Sequence, residues 1–434
     1  MSIYMIRSYI SRTKHAFLTD SLFRNAALLM SSTAIMSVLG FGFWLFVAHM
    51  YKPADVGIAS ALISITVLLS NLSMMGLSSG LIRFLPKSDN QSGTINAAMI
   101  TVGGATTIAA LLYVLLGAHF GANMSLLANG WHKAIFVVLL SSISLNSITD
   151  SVFIANRRAE FHTAAYALLG VVKLLLPLGL VSLAATGIFA AYILSMVASL
   201  IFSLFLMTRW CDYSLLARPD WHMLGRIRKF ATNNYLALII TGLPSQIIPT
   251  LIIRHIGAAQ VAFFSMAWTM ANLLYIIPSA TTQSLLAESS HNPEDRQYHL
   301  KHTVKILSLI LVPAVVGAIL IAPYLLRIFG PQYSHEGTRI FQILALATFP
   351  YAFACVAGTR LNIEHRSFGI VITQVALLLT TFISLIFLLR FRLAGVGIAM
   401  LLGNIAACIT YVVLGRRHNK HLPINPVIIE PTAG

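Results

Sequence analysis

Two ionisable side chains stand in surroundings that disfavour charge. Lys173, with Val172 and Leu174 beside it, lies about eleven residues inside an apolar run, and Asp150 lies about six residues from the end of the run before it. A charge taken out of water costs several kcal/mol unless it is partnered, so ionisable groups inside such runs are working parts by default. At about 1.5 Å of rise per residue the two depths differ by roughly 5–10 Å, within reach of a lysine if the helices touch. Two kinds of chemistry follow. Lys173 can be a cavity cation for an anion, its charge held or released by Asp150 with or without a proton, or the two can form a fixed pair that pins two helices.

Residue sets that make or break covalent bonds do not occur. There is no His-Glu-x-x-His stretch, and His335-Glu336 has no second histidine in step. No Gly-x-Ser-x-Gly elbow or phosphate-binding Gly-Lys-Ser/Thr loop is present. Cys211, Cys355 and Cys408 lack metal-type spacing and suit packing. No catalytic residue, metal site or cofactor is therefore expected.

The elements that must position Lys173 and Asp150 are long and greasy. Twelve stretches of about 20 residues are almost wholly apolar: 25–50, 57–80, 93–117, 132–155, 163–185, 187–208, 231–254, 260–284, 303–326, 338–359, 367–389 and 395–415. Runs of this length carry a helix across the hydrocarbon core, where the backbone must bond to itself. Composition agrees, with 57% hydrophobic and 10% charged residues and a mean hydropathy of +0.81. The fold class expected is an all-α integral membrane protein with 12 transmembrane helices. Pro177, Pro244, Pro249, Pro278, Pro313 and Pro350 fall inside spans and predict bends.

The formal charge of +16 is mostly a topology signal and excludes nucleic acid as a partner. With the N-terminus placed in the cytoplasm, the inside links hold 21 of the 29 Lys and Arg and the outside links hold 7, with Lys173 intramembrane. That excess predicts both termini inside. The first run is too long for a signal h-region and is expected to stay in the mature chain. Residues 2–18 mix basic and bulky apolar groups and suit an interfacial helix or a frayed tail. Trp131, Trp210 and Trp221 read as interfacial anchors.

The second half is expected to repeat the first. Val47-Ala48-His49-Met50-Tyr51 ends span one, and Ile253-Arg254-His255-Ile256-Gly257 ends span seven. Asp55 precedes Arg83, and Gln260 precedes Glu288, by the same 28 residues. The organisation that follows is a segment 1–22, a first lobe 23–208, an amphipathic cytoplasmic link 209–230, a second lobe 231–416 and a cytoplasmic tail 417–434. An even number of spans per half gives both lobes one orientation, with a cavity between them.

Several stretches in this layout resemble one family. Val56-Gly57-Ile58-Ala59-Ser60-Ala61, Gly76-Leu77 and Leu81-Ile82-Arg83-Phe84-Leu85-Pro86 are similar to the span-two signature of bacterial polysaccharide and O-antigen flippases. So are Asp150-Ser151-Val152-Phe153-Ile154-Ala155, Arg157-Arg158-Ala159-Glu160 and Lys173-Leu174. Pro249 to His255, Gly257-Ala258-Ala259, Ala267-Trp268 and Leu285-Leu286-Ala287-Glu288 resemble the opening of their second half. These flippases belong to the multidrug/oligosaccharidyl-lipid/polysaccharide exporter superfamily, and the likeness spans residues 20–418. It implies two six-helix lobes in a V-shaped, pseudo-two-fold arrangement like that of the multidrug exporters, alternating between inward-open and outward-open forms. It further implies a bacterial inner-membrane transporter of undecaprenyl-pyrophosphate-linked oligosaccharide, with membrane lipids and polysaccharide polymerase or export proteins as partners. Related lipid II flippases carry an Arg in span one after a Gly-Phe pair, whereas Gly40-Phe41-Gly42-Phe43-Trp44 has no cation.

A sugar–pyrophosphate head group needs a shielded path lined with positive charge. Lys173, Arg83, Arg24, Arg254 and Arg360 are the candidate cations, Arg83, Arg24 and Arg360 at inner helix ends and Arg254 near the outer end of span seven. Each of these arginines also fits a snorkelling anchor. Asp150 and Glu288 are the candidates for coupling or gating. A cation-coupled multidrug exporter would show acids deep in the lobes, and a membrane glycosyltransferase or polymerase would show a large domain outside the membrane.

Overall fold

The computed structural model describes residues 21–116, 130–291, 296–363 and 367–419, and no strand occurs among them. Each predicted span is helical. The helices are α1 (Ser21–Met50), α2 (Pro53–Ser73), α3 (Leu77–Phe84), α4 (Gln91–Leu116), α5 (Gly130–Ala155), α6 (Ala159–Gly179) and α7 (Ala184–Trp210). They continue with α8 (Trp221–His255), α9 (Ala258–His291), α10 (Arg296–Leu320), α11 (Ala322–Arg327), α12 (Pro331–Ile363), α13 (Ser367–Leu388) and α14 (Arg392–Asn419). Among the described residues, ten stretches are long and apolar enough to cross a bilayer. The last, Phe368–Leu414, holds both α13 and α14, and α8 adds a further helix of 35 residues. Twelve crossings are thus accounted for. The expected interfacial helix at residues 2–18 lies outside the described residues.

Large apolar side chains line the outer surface, as a lipid solvent requires. Leu115 is 72% exposed, Leu309 74% and Ile386 73%. In water each would forfeit about 25 cal/mol per Å² of apolar area, whereas acyl chains accept such surface. Inside, hydroxyls are quenched within their own helices: Thr66 Oγ1 donates to the Leu62 carbonyl and Ser144 Oγ to that of Leu140. A few polar bonds tie helices together. Ser70 and Ser144 hydroxyls lie 2.7 Å apart, and Asn146 Nδ2 donates to the Met196 carbonyl at 2.9 Å.

The chain forms two compact units. One comprises residues 1–269 with 322–340, the other residues 270–321 with 341–434. In the first, α1 packs on α6, α6 on α7, α2 on α8 and α4 on α5. Its core has one cluster around Leu81, Ile148, Phe153 and Met207 and another around Leu62, Phe136, Leu140 and Phe189. The second unit has a core around Leu274, Leu311, Val315 and Ala345.

Two departures from the predicted spans have local causes. Span two divides between α2 and α3, where Met75 (φ 45°) and Gly76 (φ 75°) turn left-handed. Ending α2 there frees carbonyls, and the Tyr235 hydroxyl from α8 meets those of Asn71, at 2.8 Å, and Leu72. Span seven starts at Trp221, because the Asp220 carboxylate caps the helix by accepting from the Met223 amide at 3.0 Å. The stretch before it is strapped to α4. Asn96 Nδ2 faces the carbonyls of Ser214, Leu215 and Ala217, and the Asp220 amide donates to the Gly93 carbonyl.

Two turns, one in each half of the chain, share their backbone detail. A 3-10 turn at Val181–Leu183 is followed by Ala184 at positive φ (51°), and a 3-10 turn at Leu389–Phe391 by Arg392 at positive φ (54°). Seven residues after the leucine just before each turn stands a glycine with no room for a side chain. A Cβ on Gly187 would lie 2.1 Å from the Leu180 carbonyl oxygen, and one on Gly395 1.8 Å from that of Leu388. The histidines match too: His49 Nδ1 donates to Leu45 and His255 Nδ1 to Leu251, each four residues back.

Candidate functional site

Helix α6 presents Lys173 inward. Leu169, Gly170, Lys173 and Pro177 form its buried face, while Val171, Leu175 and Leu178 point outward. Pro177 has no N–H to give the Lys173 carbonyl one turn earlier, so the cation sits where the helix is easiest to bend. Small residues let α1 come close. A Cβ on Gly170 would meet Leu39 Cδ1 at 2.4 Å, and one on Gly42 would meet Leu174 Cδ1 at 3.2 Å.

That approach delivers an aromatic ring to the ammonium. Lys173 Nζ lies 4.5 Å from the centre of the Phe43 ring on α1 and 4.4 Å from that of Tyr192 on α7. Ring faces attract a cation at such distances, and more strongly away from water. Lys173 is 8% exposed, and its side chain makes no hydrogen bond or ion pair among the described residues. Phe43, in the stretch Gly40-Phe41-Gly42-Phe43 that carries no cation of its own, thus faces one from α6.

Asp150 has a different partner. Its Oδ2 accepts from the Tyr166 hydroxyl at 2.9 Å, and the His162 ring stacks on Tyr166 with centroids 4.4 Å apart. Tyr166 lies seven residues, two helical turns, before Lys173. The carboxylate therefore faces a phenol and the ammonium faces two rings, and Lys173 and Asp150 are not joined as an ion pair. Ion pairs are formed instead by Arg158 with Glu160 and by His335 with Glu336.

Three of the other sequence candidates are exposed near helix ends. Arg83 is exposed near the end of α3 with its guanidinium 5.6 Å from the Phe84 ring centre. Arg254 is exposed at the end of α8 and Arg360 near the end of α12. The side chains of Arg24 and Glu288 lie outside the described residues. Sequence reasoning missed Phe43, Tyr192 and Tyr166. The one available signal was Gly42 beside Phe43, a small residue that permits a close helix approach without saying which helix approaches.

Residues 46–336, about two thirds of the chain, match the family described as "Polysaccharide biosynthesis protein". The chain belongs to that family. The likeness read from span two and from the start of the second half is borne out by this match. No curated protein matches the sequence. Among solved structures, the lipid II flippase MurJ in an inward closed conformation is similar at 12% identity and a TM-score of 0.73, covering 90% of this chain and 87% of that one. A multidrug resistance MATE family transporter of the MOP superfamily, inward-facing, is similar at 18% identity and a TM-score of 0.67, covering 91% and 98%. A MOP superfamily transporter from Pyrococcus furiosus is similar at 18% identity and a TM-score of 0.59, covering 92% and 95%. At these identities the likeness establishes the fold alone, that of a multi-pass helical membrane protein.

Proposed function

We propose that the protein is a secondary transporter that flips undecaprenyl-pyrophosphate-linked oligosaccharide from the inner to the outer leaflet of a bacterial cytoplasmic membrane. It does no covalent chemistry of its own. The observation that carries this reading is Lys173: a nearly buried ammonium held by two rings and by no carboxylate. Ring faces offset only part of the lost hydration, so an anionic ligand completes the site, and a pyrophosphate supplies that charge. Membership in a polysaccharide biosynthesis family points to a glycan as the rest of the substrate. Residues 23–208 and 231–416 act as the two lobes of an alternating-access cycle, joined by 209–230, with both termini in the cytoplasm. The repeated turns after α6 and α13 support that division.

In this reading Asp150 and Tyr166 form the coupling element beside the cation, exchanging the phenol for Lys173 or for a proton as α6 bends at Pro177. Arg83, Arg24 and Arg360 draw the head group to the inner mouth, Arg254 draws it outward, and Glu288 pairs with a base at the gate. Polysaccharide polymerase or export proteins take the product onward.

Deletion of the gene is expected to trap lipid-linked repeat units on the inner leaflet. Wild type restores surface glycan, and Lys173→Ala does not, although its protein reaches the membrane in normal amount. Normal surface glycan in the deletion, with altered drug tolerance, would refute the reading in favour of a multidrug exporter.

A further inference from the structure

A second polar site lies apart from the Lys173 rings. A cavity of about 320 Å³ opens between α2, α3, α5 and α8, where span two breaks. That volume is at the lower end of the roughly 300–1,000 Å³ of small-molecule sites. Its polar lining is Asn71, Ser78, Ser79, Ser147, Tyr235 and Gln246, and none of the residues around it carries a charge. Four of these polar groups are unspent. The amides of Asn71 and Gln246 and the hydroxyls of Ser78 and Ser79 make no hydrogen bond among the described residues. Ser147 and Tyr235 are committed to carbonyls, Ser147 to that of Ile143 and Tyr235 to those of Asn71 and Leu72.

The chemistry of this lining selects its occupant. An ion would find no counter-charge, and an apolar chain would strand two amides and two hydroxyls. Side-chain amides donate and accept at once, and serine hydroxyls rotate to do either, which matches neighbouring ring hydroxyls that also do both. We propose that this cavity binds an uncharged sugar ring of the substrate, apart from the cation that meets its pyrophosphate. The inference rests on the transport of a glycolipid proposed above and adds where the glycan is held.

Two variants test the site without disturbing Lys173. Gln246→Leu removes one unspent amide. Gly242→Met fills the cavity, and its new Cβ meets no atom within 4 Å, so the helix accepts it. The probes are undecaprenyl pyrophosphate and the sugar-bearing lipid extracted from cells that lack the gene, and binding is measured on purified full-length protein in nanodiscs. Wild type should bind the sugar-bearing lipid about tenfold more tightly than the bare one, the worth of one or two hydrogen bonds. Each variant should erase that preference and leave binding of undecaprenyl pyrophosphate unchanged. A preference that survives in both variants overturns the sugar site and leaves the transport reading standing. Wild type that binds neither lipid overturns both. Loss of binding to both lipids in correctly folded variants also overturns the site, because it assigns the cavity to the shared pyrophosphate.

Discussion

The two repeated turns connect helix pairs of unlike interior. Seven residues before Leu180, α6 carries Lys173, and seven residues before Leu388, α13 carries Thr381. Thr381 is buried and donates to the Leu377 carbonyl of its own helix at 2.7 Å, so it needs nothing from outside. Gly403 of α14 lies against it, where a Cβ would come within 2.0 Å of Thr381 Oγ1. Gly403 and Ser195 stand eight residues beyond the matching glycines Gly395 and Gly187. One half therefore closes a small, satisfied residue under a glycine, while the other spreads two rings around a charge. A shared backbone turn with opposite interiors means that the charge is not a requirement of the fold. It is a feature of the first half that the second half does without.

Moving the charge breaks this contrast most severely. Thr381→Lys places an ammonium in a buried site closed by Gly403, at a cost of several kcal/mol, and the protein should be lost from membranes as judged by immunoblot. Lys173→Ala should leave the protein present yet lower export of the glycolipid about a hundredfold, read as its accumulation on the inner leaflet. If the Lys173→Ala protein vanishes as the Thr381→Lys protein does, the cation is structural and the contrast fails.

Smaller changes sharpen the comparison. Gly187→Ala and Gly395→Ala each force a methyl onto a carbonyl oxygen and should destabilise by about 2–3 kcal/mol, measured by thermal unfolding in detergent. Similar losses at both sites would mark the turns as equivalent, and a loss at one alone would break the repeat. Tyr166→Phe removes the hydrogen bond to Asp150 and should slow export roughly tenfold while destabilising by about 1–3 kcal/mol. Thr381→Ser keeps the intrahelical bond and should shift stability by less than about 1 kcal/mol while leaving export at the wild-type rate.

Legibility differed from residue to residue. Lys173 and Asp150 stood out because their neighbours along the chain are apolar and a charge there demands a reason. Their partners did not, because Phe43 and Tyr192 resemble any other aromatic in a greasy run. The break in span two was also hidden. Met75 carries no mark of a left-handed backbone, and Gly76 resembles the other glycines of the spans. The start of α8 was more readable, since Asp220 ahead of Trp221 is an ordinary cap, but the charges that follow obscured it. Asn71, Ser78, Tyr235 and Gln246 come from three helices, and nothing in their spacing joins them.

By itself the amino-acid order determined the solvent, the number of crossings and the direction of the charge bias. Those properties are set by length, hydropathy and local composition, each summed over one short stretch at a time. Tertiary structure alone decided that Lys173 faces two rings and Asp150 a phenol, and that polar groups of α2, α3, α5 and α8 share a cavity. Such pairings depend on which helix faces meet, and the faces of mostly apolar helices differ too little in sequence to announce their neighbours.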